Sequence, residues 1–425
     1  MRDGGRIAAA MDILTAIEAR PRPVNMALKE WGAASRYAGS KDRAFVAGLV
    51  LDTLRKRRSA AWRMGEDNVR AAVLGVLRYD WDWPVERISE ACADPGHGPG
   101  DLIRGETERL ITPVDLSKAS PAVRGDYPDW LDANFKRVFG DNRAAEMAAL
   151  TDRAPVDLRV NTLKSDTGKV LAALEDMGAK PAGITHEAVR IAAPAASERA
   201  APVEAHPAFL KGWFEVQDAG SQAAAAVAGD LRGLQVLDFC AGGGGKTLAL
   251  AAAMNNKGKI YAFDNDPRRM TDIIPRAERA GVRNLEVRSP MEKEPLKGLP
   301  GAMDLVFVDA PCSGSGTWRR HPDTKWRIKP ELLIRRMTEQ AGVLDDAARF
   351  VKAGGRLIYA TCSVLADENE DRVKAFLGRN PAFAVKPIDG FEKHRTAEGY
   401  LRLTPLSAGT DGFFAAILER GADSK

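Results

Sequence analysis

Two short loops in this chain carry thiols in polar, glycine-containing surroundings. One reads Asp309-Ala310-Pro311-Cys312-Ser313-Gly314-Ser315-Gly316 and the other Thr361-Cys362-Ser363. Each follows a short apolar run of strand character, so each cysteine sits just past a predicted strand's carboxyl end. If those strands are neighbours, about 4.8 Å apart, two thiols and the Asp309 carboxylate face one crevice. A thiolate is a strong nucleophile and a carboxylate can share a proton with the group it attacks, so the set points to nucleophilic catalysis. For the other two cysteines, Cys92 and Cys240, the expectation is burial. No two cysteines form a C-x-x-C pair, which argues against a zinc site, and four in 425 residues do not make a disulfide framework.

A second motif binds rather than reacts. The run Asp238-Phe239-Cys240-Ala241-Gly242-Gly243-Gly244-Gly245-Lys246-Thr247 leads from a predicted strand into a predicted helix. Glycines let a backbone approach a ligand, and the helix start offers free N–H groups. A P-loop fails because Cys240 stands where its first glycine is needed, and G-x-G-x-x-G fails at Thr247 and Leu248. Asp264 ends the next predicted strand, at the distance from the glycines where an acid commonly holds ribose hydroxyls. Capping of the following helix is the competing role for Asp264, and Asp266 is available for that instead. Lys246 is a cation able to lower a thiolate's pKa or polarise a substrate.

These residues need a scaffold that gathers strand ends. From about residue 226 to 425 the pattern alternates strand and helix, with strands expected at 235–239, 259–264, 285–288, 304–309, 356–361 and 413–418. That predicts an α/β domain, a doubly wound Rossmann-like parallel sheet with helices on both faces and ligands at the carboxyl ends of its strands. Residues 1–140 read as helical, with Ile7, Met11, Leu14 and Ile17 at helical spacing and a helix start at Ser40-Lys41-Asp42. Residues 141–225 read as a small α+β module with a strand at 157–161 and a helix ending at Gly178.

Hydrophobic residues make up 45% and charged residues 28%, which fits a globular protein, and no apolar run is long enough to span a bilayer. The amino-terminal residues lack a secretory-signal pattern, so the expected location is the cytoplasm, with reduced thiols. The net charge is +4, a weak pointer to nucleic acid. Arg55-Lys56-Arg57-Arg58 reads as a solvated helix face. Between Trp318 and Arg336, Lys and Arg outnumber acids and two tryptophans lie among them, the mixture that single-stranded RNA binding uses. Arg319 and Arg320 are the expected RNA contacts there.

With these motifs assembled, the chain resembles the RNA cytosine-5 methyltransferase family, most closely its bacterial RsmB/Sun-type branch acting on small-subunit (16S) ribosomal RNA. The resemblance is carried by LRVNTLK (158–164), VQDAGSQ (216–222), VLDFCAGGGGKT (236–247), DLVFVDAPCSGSGTWRRHPD (304–323), ATCSV (360–364) and GTDGFFAAIL (409–418). More loosely, SKDRAFVAGLVLDTLR (40–55) is similar to the NusB-like helical bundle that the branch carries. The resemblance implies a class I methyltransferase domain using S-adenosylmethionine, with Cys362 as nucleophile, Cys312 assisting release, and Asp309 and Lys246 at the target base. It implies cofactor contacts from Cys240, Ala241, Gly242, Gly243, Gly244, Gly245, Lys246, Asp264, Arg269 and Asp309. RNA contacts would come from the module holding Arg159 and Asn161. The implied protein is a monomer that binds RNA and needs neither metal nor membrane.

The chemistry fits the residues. Carbon 5 of cytosine is a poor nucleophile until a thiolate adds to carbon 6 and makes it an enamine. Two departures from the family pattern stand out. The family's glycine loop usually reads C-A-A-P-G-G-K-T, but Gly242 and Gly243 replace Ala and Pro, which predicts a looser loop. After the third predicted strand the chain reads Arg288-Ser289-Pro290, with no acid for the adenosine. The alternatives are a tRNA or DNA cytosine-5 methyltransferase, the latter because Pro311-Cys312 matches the nucleophile pair of DNA enzymes, and a non-catalytic RNA-binding ribosome-assembly factor.

Overall fold

Apolar residues at helical spacing build the amino-terminal region. Ile7, Leu14 and Ile17 on the helix Asp3–Ala19 are buried with Val46 and Leu49 of the helix Ser40–Arg55 and Leu74 of the helix Val69–Tyr79. Asp42 accepts the Gly39 N–H at 3.0 Å, which fixes the expected helix start. The computed structural model describes residues 1–196, 198 and 202–422. By contacts the chain divides into two units. The first is this helical unit, Met1–Ala154, joined by the described part of 193–200 and by Thr317–Ile328. The second holds the remaining described residues, so the small mixed module lies in one unit with the large sheet.

The basic cluster is not a solvated face. Arg55 is buried against Asp52, and Lys56, Arg57 and Arg58 pair with Asp80, Glu18 and Asp129. Acids distant in sequence collect Lys56, Arg57 and Arg58, and local charge counting does not see them.

In the second unit, the strands β1 (Val156–Val160), β2 (Lys180–Pro181), β3 (Ala188–Ile191) and β4 (Phe214–Val216) form an antiparallel sheet in the order β2-β3-β1-β4. Gly178, at φ 68°, ends the helical segment before β2, as the sequence suggested. The large sheet contains β5 (Gln235–Asp238), β6 (Lys259–Phe263), β7 (Leu285–Arg288), β8 (Met303–Asp309), β9 (Val351–Thr361), β10 (Phe383–Lys386), β11 (Leu401–Leu403) and β12 (Phe413–Arg420). Its order is β10-β12-β9-β8-β5-β6-β7, with β11 also paired to β12.

The five strands β9, β8, β5, β6 and β7 are parallel, as expected for strands joined by helical crossovers. β12 departs from the expected all-parallel sheet: it runs antiparallel to β9, β10 and β11. The link from β11 to β12 is too short for a crossover helix and return, so the chain reverses there. The order in which strands are added reverses between the parallel neighbours β5 and β8, where β5 leads outward to β6 and β8 leads the other way to β9. That switch point opens a crevice at the carboxyl ends of β5 and β8. Among the described residues, no helix is long and apolar enough to cross a membrane.

Candidate active site

The glycine loop connects β5 to the helix Gly245–Ala253. Gly242 and Gly244 have φ of 48° and 84°, left-handed values that favour glycine. A Cβ on Gly244 would stand 2.7 Å from Ile273, so that position is closed to side chains in two ways. Two carboxylates fix the loop's ends. Asp238 accepts the Thr247 hydroxyl at 2.6 Å, and Asp264 accepts the Gly242 N–H at 3.0 Å. Burial pushes the Asp238 carboxyl up to about 7. The expectation of a looser loop meets a loop that is tied down: the Arg276 guanidinium also donates to the Gly243 carbonyl.

Asp264 is 1% exposed and takes two further contacts, the Asp266 N–H at 3.0 Å and the Arg269 guanidinium at 3.1 Å. The loop lies beside a cavity of about 1010 Å³. Cys240, Asp264, Arg269, Asp309, Cys312 and Cys362 all line it, with Phe239 and Phe263 as apolar walls. A volume of this order holds a nucleoside-sized ligand, with carboxylates for hydroxyls and rings for a base. S-adenosylmethionine fits that donor and wall set. Burial raises the Cys240 thiol well above the usual thiol range, so it enters the cavity as a neutral wall.

The two cysteine loops meet because β8 and β9 are neighbours, with Asp309 paired to Ala360. The sulfur atoms of Cys312 and Cys362 are 3.4 Å apart, and both thiols are free. The Cys312 thiol is held well above the ordinary thiol range, first by its hydrogen bond with Cys362, then by burial, then by the charges of Cys362 and Glu368. Lys246 donates to Asp309 at 2.7 Å and lies 5.1 Å from the centre of the Phe413 ring. Burial alone would lower the Lys246 ammonium, but the charge and hydrogen bond of Asp309 hold it above the ordinary lysine value. A permanent cation and its carboxylate therefore stand in the same unit as two thiols, one of which keeps its proton.

Residues that the sequence reading passed over hold these loops in place. Glu368 is fully buried and accepts the Ser313 N–H at 2.8 Å, the Ser313 hydroxyl at 2.5 Å and the Gln340 amide at 3.1 Å. Asn369 donates to the Ser363 carbonyl at 2.9 Å and accepts the Thr361 hydroxyl at 2.5 Å. The Gly316 N–H donates to the Cys362 carbonyl at 2.9 Å. An acid six residues after Cys362, with an asparagine next to it, was the available signal, but unaided it reads as a helix start.

The expected RNA contacts lie elsewhere than at an open surface. Arg159 is buried, donates to Gln217 at 2.6 Å, and burial lowers its guanidinium to about 10. Asn161 is buried and donates to the Gly212 and Ala280 carbonyls, each at 2.8 Å. In the helical unit, Trp318 and Arg319 are 2% and 4% exposed. Trp318 packs edge-on to Phe135 with ring centres 6.0 Å apart, and the Arg319 carbonyl accepts from Arg55 at 3.0 Å. Lys325 is 1% exposed and burial lowers its ammonium to about 7. Arg320 is half-buried. Part of the mixture read as an RNA surface is therefore interior, because ring stacking and carbonyl acceptors also serve buried cations. Trp318, Arg319 and Lys325 are buried, Arg320, Trp326, Arg327 and Arg336 are half-buried, and Lys329 and Arg335 are exposed.

Comparison with known proteins bears on this geometry. The 16S rRNA methyltransferase RsmB/F family pattern matches residues 230–419, and that family's ferredoxin-like domain pattern matches residues 127–198. The ribosomal RNA small subunit methyltransferase B of Salmonella typhi is 35% identical over 272 residues, 63% of this chain and 61% of the relative's own length. The crystal structure of PH0851 has a TM-score of 0.73 at 25% identity, covering 99% of each chain. NSun6 from Pyrococcus horikoshii, solved with the S-adenosylmethionine analogue SFG, shares the fold at a TM-score of 0.61 and 21% identity over 70% of this chain and 99% of its own. With its switch-point cavity, its tied glycine loop and these two matched segments, the chain belongs to the S-adenosylmethionine-dependent RsmB/F methyltransferase family.

Proposed function

We propose that this protein methylates carbon 5 of a cytosine in small-subunit ribosomal RNA, through a covalent bond between Cys362 and the base. The observation that carries the reading is the pair of free thiols 3.4 Å apart beside the Lys246–Asp309 pair. A methyltransferase that works by direct displacement needs no thiol, and one that works by addition needs one nucleophile and a route for release. In our reading Cys362 attacks carbon 6 as a thiolate, and the ring's electron pair moves to carbon 5. The Lys246–Asp309 pair supplies the hydrogen bond at the ring nitrogen that makes this shift favourable. S-adenosylmethionine, when bound, supplies the methyl group that carbon 5 takes. Cys312, having first given up its own proton to solvent, then takes the carbon-5 proton as a thiolate. The electron pair of that C–H bond re-forms the 5,6 double bond, the carbon 6–sulfur bond breaks, and Cys362 leaves as a thiolate.

Asp264, Arg269 and the loop from Cys240 to Lys246 are the residues we assign to the cofactor. Asp264 keeps unused acceptor capacity on its two oxygens for ribose hydroxyls while it ties Gly242. Arg159, Asn161 and Arg319 would then serve RNA by shaping the units that bind it, and half-buried Arg320 remains the candidate for direct contact. The reaction belongs in a reducing cytoplasm, where both thiols stay free, and one copy of the chain holds every residue assigned to it.

The test is the covalent adduct. Cys312→Ala, incubated with substrate RNA and S-adenosylmethionine, is expected to give a slowly migrating, ribonuclease-sensitive band on a denaturing gel. Cys362→Ala and the double variant are expected to give none. A band in Cys362→Ala and none in Cys312→Ala would reverse the two roles. Bisulfite sequencing of RNA from cells with and without the gene then locates the methylated cytosine.

A further inference from the structure

Two similar thiols at one site pose a question that the reaction does not answer: what makes one the nucleophile and keeps the proton on the other. The two differ in their neighbours. The Cys312 loop, and not the Cys362 loop, is bonded to a buried carboxylate. Glu368 accepts both the N–H and the hydroxyl of Ser313, the residue next to Cys312. Gln340 closes the arrangement by donating to Glu368 at 3.1 Å and to the Pro311 carbonyl at 2.9 Å, on the other side of Cys312. The cysteine is thus bracketed, with Glu368 bonded after it and Gln340 before it. Cys362 instead lies toward Lys246, a cation.

We propose that Glu368 is a positioning residue that reserves the nucleophile's role for Cys362, by clamping the Cys312 loop and setting a buried negative charge beside Cys312. The inference rests on the reading that Cys362 attacks the base. A negative charge in a poorly solvated place disfavours a second one nearby, so it acts against the Cys312 thiolate. The groups facing Cys312 are Cys362, Glu368 and Tyr359, with Asp309 and Arg336 on the same cavity wall. The arrangement also explains how Cys312 changes role. Once Cys362 is bonded to carbon, it no longer holds Cys312 as a charged hydrogen-bond partner, and part of what kept the Cys312 proton in place is gone.

The experiment reads the ionisation of Cys312 itself, in a Cys362→Ala background where its thiol partner is gone. The rate of Cys312 alkylation is followed against pH and mapped by peptide mass spectrometry, which separates it from Cys92 and Cys240. The midpoint is expected above that of an ordinary thiol, about 8.5. Glu368→Gln, which keeps the shape and loses the charge, is expected to move the midpoint down by about one pH unit, a roughly tenfold faster reaction at a pH below both midpoints. Ser313→Ala, which cuts a bond of the clamp and keeps the charge, is expected to leave the midpoint in place. Superimposed profiles for Glu368 and Gln, or an equal shift in Ser313→Ala, would overturn the proposal. So would a midpoint at or below 8.5 in the Cys362→Ala parent, a result that does not require the Glu368 variant to fold. Failure of the covalent-adduct assay would instead overturn the reading beneath it, and the two results are separately measured.

Discussion

Asp264 has more partners than its two oxygens suggest. It ties Gly242, caps the turn at Asp266 and pairs with Arg269. A ribose would join a carboxylate already oriented by backbone, which reduces what binding must order. Hydrogen bonds to a charged group contribute about 1.5–3 kcal/mol, so Asp264→Ala is expected to weaken S-adenosylmethionine binding roughly tenfold or more. Calorimetry showing unchanged affinity would take Asp264 out of the site. Asp238, at the other end of the same loop, makes a prediction about pH. Burial raises its carboxyl from 3.8 to about 7. The folded state therefore binds a proton that the unfolded chain has released, and this contribution is fully present below about pH 4. It is lost as pH rises through about 7. Asp238→Asn removes the titration, so wild type should lose stability relative to the variant between about pH 3 and 8, most steeply between about pH 4 and 7, by an amount on the order of 4 kcal/mol in all. Urea denaturation at several pH values gives both curves, and parallel curves would contradict the assignment.

The elements show what the sequence could and could not carry. The parallel strands were legible because each is a short apolar run closed by polar and glycine residues. β10 and β11 were not. β10 alternates, with Phe383 buried and Ala384 exposed, and β11 has three residues, too few for a pattern. The reversed direction of β12 was invisible for another reason: a strand's residues state which faces are apolar and not which way the chain runs. The thiol pairing was legible from one assumption, that β8 and β9 are neighbours. Its support was not, because Glu368 is buried through bonds to Ser313, 55 positions away. Gly316 is the sharpest case. In sequence it is one glycine of a loop; in the fold it bonds to Gly412, whose N–H donates to the Gly316 carbonyl at 2.8 Å. A Cβ on Gly316 would stand 2.2 Å from the Gly412 carbonyl oxygen. Gly316→Ala must push two backbones apart, at a cost of about 1–3 kcal/mol. Because the same residue donates to the Cys362 carbonyl, adduct formation should fall as well as melting temperature. A variant that melts like wild type and labels RNA equally fast would show that the approach is not needed.

At the scale of the whole molecule, the chain does not keep its units contiguous. Thr317–Ile328 follows directly on the Cys312 loop in sequence, yet its contacts belong to the helical unit. Trp318, Lys325 and Trp326 are its anchors: Trp318 against Phe135, Lys325 donating to the Arg55 carbonyl, and Trp326 donating to the Leu54 carbonyl at 2.7 Å. A segment that stacked on RNA would show its tryptophans to solvent, and Trp318 does not. This separates two effects that a mutation of the segment would otherwise mix. Truncating a buried aromatic residue costs about 3–5 kcal/mol, so Trp318→Ala should lower the melting of the helical unit by several degrees. S-adenosylmethionine, bound by the other unit, should raise that unit's melting in proportion to the logarithm of its concentration. Scanning calorimetry with and without cofactor is therefore expected to resolve two responses, with Trp318→Ala shifting one and the cofactor shifting the other. At temperatures below both transitions, the variant should bind S-adenosylmethionine as wild type does. If one transition moved with both the substitution and the cofactor, the two units would be a single cooperative body. If instead Trp318→Ala left melting untouched and weakened RNA binding alone, the segment would be the RNA surface that its composition first suggested.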